Sequence, residues 1–291
     1  IKANYLIVEI DIFSAKTIRD DFASINNQRS LLCTLRRRLS HGGSSAHVGD
    51  FVYLDAIDWK EGRAVICGVK PRTSFLSRPA VANVSDVIVV FSLADPPFDQ
   101  DQATRFLLTA ENTGLSITFV FTKKDLITLN QSKIRIEQIR RWGYDPFSVS
   151  LKTGHGVNRL KRHLEQKQLS VICGPSGVGK TSLINMLIPE ISLKVGSLSK
   201  KIRRGCNTTR HVQLFKIADN CCLADTPGFN RPELLIPPNK LSKLFPELRI
   251  RLRNNQCKFR NCMHLDEPGC CIDKDWERYP FYRNIMKELL I

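Results

Sequence analysis

Short runs of apolar and β-branched residues fill the beginning of the chain. The segments 4–13, 47–58 and 62–69 have the sequences NYLIVEIDIF, HVGDFVYLDAID and GRAVICGV, with turn-forming Gly and Asp between them. Runs of this length, separated by turn signals, are typical of β-strands. Their close spacing predicts a small all-β barrel over residues 1–78.

Three consecutive arginines, Arg36, Arg37 and Arg38, lie within the segment 34–45, close to the Gly- and Ser-rich sequence HGGSS. On a barrel, a basic loop of this kind fits the phosphate backbone of a nucleic acid. A solvated hairpin tip accounts for the same residues equally well. The sequence alone leaves both interpretations open.

After residue 86 the pattern changes to longer apolar runs that alternate with helical periodicity. The preceding segment, 70–86, contains Pro71 and Pro79 and has no clear period, so it is predicted to be a linker. Buried strands are predicted at 87–94, 115–126, 145–154 and 169–173, and helices at 98–114, 133–143 and 182–188. This alternation predicts a doubly wound α/β sheet, which binds ligands at the carboxyl ends of its strands.

A phosphate-binding loop follows the apolar strand at 169–173. Gly174, Gly179, Lys180 and Thr181 fit the pattern G-x-x-x-x-G-K-S/T, and an apolar helix comes directly after them. The glycines let backbone N–H groups surround phosphate, while Lys180 is expected to reach the β- and γ-phosphates and Thr181 to ligate Mg²⁺. The residues predicted to bind the nucleotide here are Gly174, Pro175, Ser176, Gly177, Val178, Gly179, Lys180, Thr181 and Ser182.

Two further elements of a nucleotide switch follow in order. The sequence LADTPGF at 223–229 matches D-x-x-G, so Asp225 is predicted to hold Mg²⁺ through water and Gly228 to sense the γ-phosphate. Between the loop and this motif, RRGCNTTRHV offers Thr208 and Thr209 as residues that close on Mg²⁺. A lone D-x-x-G is weak evidence, but its position after a phosphate loop makes it strong.

A base-recognition motif lies upstream of the phosphate loop. The sequence FTKKDL at 121–126 follows a predicted strand, and Asp125 is placed to accept hydrogen bonds from the N1–H and N2–H₂ groups of guanine. Adenine lacks this donor pair, and a carboxylate left unpaired would disfavour it. Thr122 and Lys123 complete the motif, with the stem of Lys123 under the base. The loop predicted to meet the guanine O6 through its backbone N–H groups is Ser150, Leu151 and Lys152.

The order of base motif, phosphate loop, switch and D-x-x-G is a circular permutation of the usual GTPase order. A doubly wound sheet tolerates such a rearrangement when the original termini lie close together. The sequence therefore predicts that the central part of the chain binds GTP and GDP together with Mg²⁺, and that Asp125 excludes ATP.

The composition adds a strongly basic character. The 291 residues include 44 Lys and Arg against 28 Asp and Glu, which gives a formal net charge of +16. Such a surplus favours a polyanionic partner, of which nucleic acid is the main class. No apolar run of about 18 residues or more occurs, so no membrane partner is predicted.

The Cys residues point to a metal site near the end of the chain. Ten Cys are present, and the segment CKFRNCMHLDEPGCC concentrates several of them around one His. The spacing C-x4-C-x-H-x5-C predicts a closed tetrahedral zinc site with Cys257, Cys262 and His264 among its ligands. Cys270, which follows the turn EPG, and Cys271 compete for the fourth place. A cluster of this kind favours a reducing compartment over a disulfide framework.

Together these motifs resemble the circularly permuted GTPases of small-ribosomal-subunit assembly, the RsgA (YjeQ) family. The resemblance covers nearly the whole chain and rests on the blocks GDFV, LSRPAVANVSD, TKKDL, SLKTGHGV, GPSGVGKTSLIN, CNTTRHV, DTPGF and CKFRNCMHLDEPGC. It implies an N-terminal OB-fold at 1–78, a permuted GTPase domain at 79–232 and a helical zinc domain at 233–291. It also implies Cys270 as the fourth zinc ligand, because the family's motif ends there.

The same resemblance implies an activity and a set of partners. We expect GTP hydrolysis that the small ribosomal subunit stimulates, and a monomeric protein that binds this subunit and its rRNA. The family occurs in bacteria and in plant organelles. The chain does not begin with Met, and this favours a processed protein of a chloroplast or mitochondrion over one of the bacterial cytoplasm.

Three positions depart from the family pattern. Thr122 stands where the family usually has Asn, which predicts weaker guanine binding. Asn207 replaces the usual His of the switch, and an amide orients water but takes up no proton at neutral pH. Phe229, not Gln, follows the D-x-x-G motif, so we expect slow turnover until a partner completes the site. The candidate catalytic residues are Asn207, Thr208, Thr209 and Gly228.

Two alternatives to a ribosome-stimulated GTPase stay open at this point. Asn207 and Phe229 also suit a nucleotide-gated RNA-binding factor that hydrolyses little GTP. An ATPase would keep the phosphate loop and bind ATP as well as GTP. The guanine-specific role predicted for Asp125 argues against the ATPase.

Overall fold

The computed structural model describes residues 5–10, 30–36, 45–78, 80–189, 212–218, 221–225, 232 and 234–290. The chain divides into two compact units. The first comprises Ile1–Phe75 with Ala80–Asn83, and the second Leu76–Pro79 with Val84–Ile291. The finer division into three domains at residues 78 and 232 stays a prediction.

The first unit contains a mixed four-stranded sheet. Its strands are β1 (Tyr5–Glu9), β2 (Ser30–Leu35), β3 (Val52–Asp58) and β4 (Arg63–Val69), in the order β1-β2-β4-β3. The β2–β4 pair is parallel and the other two pairs are antiparallel. Alternation along β2 buries Leu31 and Cys33 on one face, where they pack with Ala64 and Ile66. The described residues of this unit form strands, as the sequence predicts, while closure into a barrel stays a prediction.

The segment predicted to be a linker, 70–86, is more ordered than its sequence indicates. It contains the short strands β5 (Phe75–Ser77) and β6 (Ala80–Ala82), and Asp86 already begins the next strand. Asn83 holds part of the segment, since its side chain accepts the N–H of Thr73 at 2.9 Å and donates to the carbonyl of Gly49 at 2.9 Å. Such contacts between distant residues leave no periodic signal in the sequence.

The second unit is built on a six-stranded sheet with the order β11-β12-β10-β7-β8-β9. The strands are β7 (Asp86–Ser92), β8 (Ser116–Thr122), β9 (Phe147–Ser148), β10 (Leu169–Cys173), β11 (Gln213–Ala218) and β12 (Cys221–Asp225). The helices among them are α1 (Gln100–Glu111), α2 (Leu129–Arg141), α3 (Val157–Leu164) and α4 (Lys180–Leu187). All pairs are parallel except β11–β12, as a doubly wound sheet requires.

Several element boundaries differ from those predicted, for local reasons. Helix α2 starts at Leu129 and not near residue 133, because Thr128 and Gln131 form a capping box ahead of it. Strand β8 ends at Thr122, and a 3₁₀ turn, Lys124–Leu126, follows it. The predicted strand at 145–154 shrinks to two residues of β9, with a polar loop after it.

The C-terminal part of the second unit consists of α5 (Pro238–Leu241), a 3₁₀ turn (Ser242–Leu244), α6 (Pro246–Leu252) and α7 (Tyr279–Leu289). Its core contains Phe245, Trp276 and Tyr282, and these pack with Leu108 of α1. The absence of further alternating strands in 234–290 agrees with the sequence. Across the ranges given above, no helix has the length and apolar character needed to cross a membrane.

A buried ion pair joins α6 to the start of α7, and its arginine also contacts the end of α2. Arg278 is 0% exposed, and its Nε donates to Glu247 Oε1 at 2.7 Å. The guanidinium carbon lies 4.7 Å from the ring centroid of Trp142 and 4.8 Å from that of Phe245. A delocalised cation between two aromatic faces, with a bidentate carboxylate partner, fits the preferences of arginine. The helical tail is therefore packed against the region that ends α2.

Candidate functional site

The predicted nucleotide-binding motifs meet at one edge of the sheet. In the parallel register Ser92 pairs with Thr122, and Ile172 pairs with Asp225. Strand β10 lies between β7 and β12, so Gly174, directly after β10, leaves the sheet at the same edge. The fold thus places the base motif, the phosphate loop and the start of D-x-x-G side by side, although the sequence separates them.

The phosphate loop requires glycine where it leaves β10. Gly174 has φ +143, and a Cβ added to it would lie 2.1 Å from the carbonyl oxygen of Val90. Any side chain would force β10 and β7 apart, so the tight exit of the loop depends on Gly174. Gly179, with φ +94, is the last residue before α4. The chain therefore turns sharply twice and starts a helix, which is the geometry of a phosphate cradle.

Lys180 places its ammonium group against this loop. Its Nζ donates to the carbonyl oxygens of Gly174 at 2.7 Å and Pro175 at 2.6 Å. Thr181 and Ser182 follow in the first turn of α4 and are partly exposed. Positive charge, a helix N-terminus and a glycine-dependent loop together fit a nucleotide polyphosphate.

The remaining loop residues differ in exposure. Ser176 and Gly177 are exposed, whereas Pro175 and Val178 are buried. Val178 packs into the same apolar core as Leu183 of α4. The buried residues anchor the loop, and the exposed ones form its outer surface.

Thr122 connects the base motif to the phosphate loop. Its side chain is fully buried, and Oγ1 lies 2.5 Å from the carbonyl oxygen of Val178 and 3.3 Å from that of Phe91. The shorter contact is a strong hydrogen bond that the hydroxyl donates. The structure thus places this hydroxyl against the phosphate loop.

Asp125 is held by a partner that the sequence also singled out. Ser150, which is buried, donates from Oγ to Asp125 Oδ1 at 2.6 Å and accepts the N–H of Thr153 at 3.2 Å. The Ser150 hydrogen bond, helped by Lys152 and Lys123, holds the pKa of the Asp125 carboxyl below its usual range. Asp125 therefore stays ionised at neutral pH and accepts hydrogen bonds, which guanine recognition requires.

Two residues that contact the base motif, Asp95 and His155, were not predicted from the sequence. Lys123, with φ +56, directs its Nζ to the carbonyl oxygen of Asp95, and the Asp95 carboxylate lies 3.9 Å from the same nitrogen. Lys124 Nζ lies 2.8 Å from His155 Nε2. Asp95 follows β7 at the ligand-binding edge, so its position after a buried strand was the available signal.

The base loop continues past Ser150. Leu151 is half-buried against the core of the sheet, and Lys152 is exposed. The Ser150 N–H donates to the carbonyl of His155 at 3.0 Å, which closes the loop into a turn. Gly156 lets the turn pass close to β9, since a Cβ there would lie 2.5 Å from the carbonyl oxygen of Ser148.

Of the predicted switch residues, only Asp225 belongs to the part of the chain that the structure describes, and only through its backbone. Asp225 is the last residue of β12, and its backbone pairs with Ile172. The predicted residues Asn207, Thr208, Thr209 and Gly228 lie outside the described residues, as does the side chain of Asp225. Their roles stay predictions.

The Cys and His residues of the tail come together as a metal-binding set. The donor atoms of Cys257, Cys262, His264 and Cys270 all lie within 4.8 Å of one another. His264 Nδ1 is 3.5 Å from the Sγ of Cys257 and 3.6 Å from those of Cys262 and Cys270. On one tetrahedral zinc ion, with Zn–S bonds of about 2.3 Å and a Zn–N bond of about 2.0–2.1 Å, nitrogen and sulfur ligands lie about 3.5 Å apart, so these distances fit.

Glu267 supports this cluster and was not predicted from the sequence. Its carboxylate accepts the N–H of Met263 at 2.7 Å and that of Leu265 at 2.8 Å. These two N–H groups flank His264, which has φ +57 and is buried. Glu267 thus fixes the strained turn that presents the imidazole.

Comparison with known proteins gives consistent matches along the chain. The sequence model of the RsgA GTPase family matches residues 69–235. The small ribosomal subunit biogenesis GTPase RsgA of Prochlorococcus marinus strain MIT 9313 is 49% identical over 290 residues, which is 99% of this chain and 90% of that protein. That of Prochlorococcus marinus strain SARG is 51% identical over 296 residues, covering 100% and 94%.

Two solved structures resemble the fold. YjeQ from Thermotoga maritima matches with a TM-score of 0.75 and 31% identity over 90% of each chain. YloQ, described as a circularly permuted GTPase, matches with a TM-score of 0.71 and 28% identity, covering 90% of this chain and 86% of YloQ. The permuted motif order deduced from the sequence therefore has a structural counterpart.

Proposed function

The chain belongs to the RsgA GTPase family, and from that premise we propose that it hydrolyses GTP during late maturation of the small ribosomal subunit. The observation that carries the proposal is identity of 49–51% along the full chain to proteins named small ribosomal subunit biogenesis GTPases. The permuted site supports it, because the base motif and the phosphate loop lie at one edge of the sheet.

We assign guanine selection to Asp125, whose ionised carboxylate accepts a hydrogen bond from Ser150 that lowers its pKa further. It accepts the two guanine donors that adenine lacks, and the stem of Lys123 lies under the base. The backbone N–H groups of Leu151 and Lys152 meet the guanine O6, whereas that of Ser150 already donates to the carbonyl of His155. This arrangement selects GTP and disfavours ATP.

The phosphate loop and Lys180 bind the phosphates, and the ammonium group of Lys180 neutralises β- and γ-phosphate oxygens. Thr181 and Asp225 would hold Mg²⁺, and this ion would supply charge neutralisation between the same phosphates. Thr208 and Thr209 close over the γ-phosphate, Gly228 senses it, and Asn207 orients the attacking water. Without Gln after Gly228 and without a base at Asn207, turnover is slow until the ribosomal subunit completes the site.

The loop between α6 and α7 holds a structural zinc ion through Cys257, Cys262, His264 and Cys270. The adjoining loop exposes Phe259, with the ammonium of Lys258 5.7 Å from its ring centroid. A rigid exposed aromatic with a cation beside it suits an unpaired base and its phosphate.

The first unit is the OB-fold that binds rRNA. Its exposed sheet face carries Tyr53, with Lys70 Nζ 5.5 Å from the ring centroid. The net charge of +16 provides the attraction for the phosphate backbone. The protein acts as a monomer with an OB-fold at 1–78, a GTPase domain at 79–232 and a zinc domain at 233–291.

The relatives at about 50% identity include proteins of Prochlorococcus marinus and of Synechococcus strain CC9311. Ancestry shared with cyanobacteria agrees with action in a plant chloroplast, and the bacterial cytoplasm is the other setting that we infer. In either setting the ribosome is of the bacterial kind.

Co-sedimentation with ribosomal subunits tests the proposal. The protein should pellet with small subunits in the presence of a non-hydrolysable GTP analogue, and less with GDP. It should stay in the supernatant with large subunits in both cases. Equal pelleting with both subunits, or with neither, would overturn the assignment.

A further inference from the structure

The metal-binding cluster contains one sulfur more than a tetrahedral site uses. Cys271, next to the predicted ligand Cys270, places its Sγ 3.3 Å from the Sγ of Cys257. Its backbone N–H also donates to that Sγ, at 3.4 Å. Cys257 is therefore in contact with Cys271 through both the backbone and the side chain.

The distances separate Cys271 from the four ligands. Cys257 and Cys270 are 4.0 Å apart at Sγ, close to the spacing of about 3.8 Å between two thiolates on one zinc ion. The 3.3 Å contact of Cys271 with Cys257 is shorter than that spacing. Cys271 thus contacts the ligand Cys257 directly, and its Sγ does not occupy one of the four ligand positions.

The backbone holds the two cysteines together. Lys258 donates its N–H to the carbonyl of Gly269 at 3.0 Å, which ties the residue after Cys257 to the turn before Cys270. Gly269 has φ +78, and a Cβ there would lie 2.8 Å from the Cβ of Lys258. The segment after Cys257 and the turn before Cys270 therefore approach as closely as glycine allows. The thiols of Cys257 and Cys271 are both partly exposed.

We propose that Cys271 is the resolving thiol of an oxidation site at Cys257, with hydrogen peroxide as the oxidant. The Cys257 thiolate attacks the peroxide, the O–O bond breaks, and a sulfenic acid forms with release of hydroxide. The Cys271 sulfur then attacks the Cys257 sulfur, an S–S bond forms, and water leaves. Two thiols lose two electrons, and peroxide is reduced to two waters.

The consequence is reversible release of the metal, since Cys257 can no longer act as a ligand. A dithiol reductant restores both thiols and hence the site. This inference rests on the zinc site of the proposed function, so the zinc content is measured before any oxidant is added. Less than one zinc per chain at that stage would overturn the zinc site and this inference together.

The test treats the zinc-loaded full chain with hydrogen peroxide and follows zinc release with a chromogenic chelator. Trypsin then separates the Cys257 peptide, Asn254–Lys258, from the peptide Asn261–Lys274, which contains Cys271. In the unsubstituted chain we expect zinc release, a disulfide between Cys257 and Cys271 by tandem mass spectrometry, and full recovery of zinc binding after dithiothreitol.

Cys271→Ser should lose that cross-link and the reversible part of the zinc release, and Cys257 should oxidise further to the sulfinic acid. Cys67→Ser, at a partly exposed cysteine of the first unit, should behave like the unsubstituted chain. A disulfide from Cys257 to Cys262 or Cys270, or reversible release in Cys271→Ser, would overturn the proposal. If Cys271→Ser fails to bind zinc, the disulfide map of the unsubstituted chain alone decides.

Discussion

The hydroxyl of Thr122, at the end of β8, donates a hydrogen bond of 2.5 Å to the carbonyl oxygen of Val178 in the phosphate loop. Fifty-six positions separate the two residues along the chain. The bond joins the segment that we propose selects the base to the segment that we propose binds the phosphates. The permuted chain order therefore leaves the two halves of the nucleotide site in direct contact.

Removal of this bond should weaken the binding of every nucleotide. In Thr122→Val the buried carbonyl of Val178 loses its donor, which costs about 1–3 kcal/mol, or about 5- to 150-fold in affinity. Calorimetric titration with GTP and GDP should show the same loss for both, because the phosphate loop is shared. Thr122→Ser, which keeps the hydroxyl, is the matched control and should retain most of the affinity.

An unchanged affinity in Thr122→Val would mean that the loop does not depend on this bond. A loss for GTP without a loss for GDP would also contradict the account. Thr122→Asn tests the departure from the family, and it should raise guanine affinity if the longer amide reaches both the loop and the base.

Acid sensitivity of nucleotide binding should depend on Ser150. Asp125 must be ionised to accept hydrogen bonds from the guanine donors. It is ionised at every pH above its lowered pKa. Ser150→Ala removes the largest cause of the lowering, so the pKa of Asp125 rises. The pH at which GDP binding is lost on acidification should therefore move upward.

Fluorescence titration of a labelled GDP from neutral to acidic pH measures this shift. Asp125→Ala is the companion variant, and it should lose the preference for GTP over ATP at every pH. If GDP binding has the same pH dependence in Ser150→Ala and in the unsubstituted chain, Ser150 does not control the ionisation of Asp125.

The site illustrates what the sequence can and cannot predict. The phosphate loop and the base motif are local sequence patterns, so Gly174, Lys180 and Asp125 could be proposed as site residues from the sequence alone. The hydrogen-bond partner of Thr122 could not be found in this way, because Val178 is brought to it by the pairing of whole strands. Motif matching alone therefore assigned Thr122 to the base and missed its bond to the loop.

Stability should depend strongly on the buried pair of Arg278 and Glu247. Arg278→Met leaves the carboxylate of Glu247 buried without its partner, and such a change costs about 3–5 kcal/mol. The double variant Arg278→Met with Glu247→Leu should recover most of this loss. Urea unfolding measures the free energy of unfolding of each variant.

An exposed ion pair provides the control. Arg140 and Glu137 are about half exposed and 2.8 Å apart, so Arg140→Met should change the free energy of unfolding by less than about 1 kcal/mol. If Arg278→Met and Arg140→Met lower the free energy of unfolding equally, burial of the Arg278–Glu247 pair does not increase its contribution to stability.

Zinc removal should affect the C-terminal helices selectively. The cluster is joined to α7 by Tyr282, which donates to the carbonyl of Met263 at 2.5 Å, so loss of the metal should loosen that contact. Hydrogen exchange after chelation should rise in residues 257–289 and change little in β7, β8 and β10. Uniform exchange before and after chelation would argue against a structural zinc ion.

The fold itself was predictable where periodicity is strong. Strand β7 is buried at every position, and its apolar run was recognised as a parallel strand. The order within 70–86 was missed because it comes from side chains such as Asn83 that bond across the first unit. Closure of the barrel would require strand pairings in addition to those within the four-stranded sheet of β1, β2, β3 and β4. The spacing of short strands in the sequence does not specify such pairings.

GTP hydrolysis, measured with purified small and large ribosomal subunits separately, tests the proposed activity most directly. The chain alone should release phosphate slowly, small subunits should stimulate release strongly, and large subunits should not. Lys180→Ala should abolish the stimulated rate. Equal rates with small subunits, with large subunits and with neither would contradict a GTPase of small-subunit biogenesis.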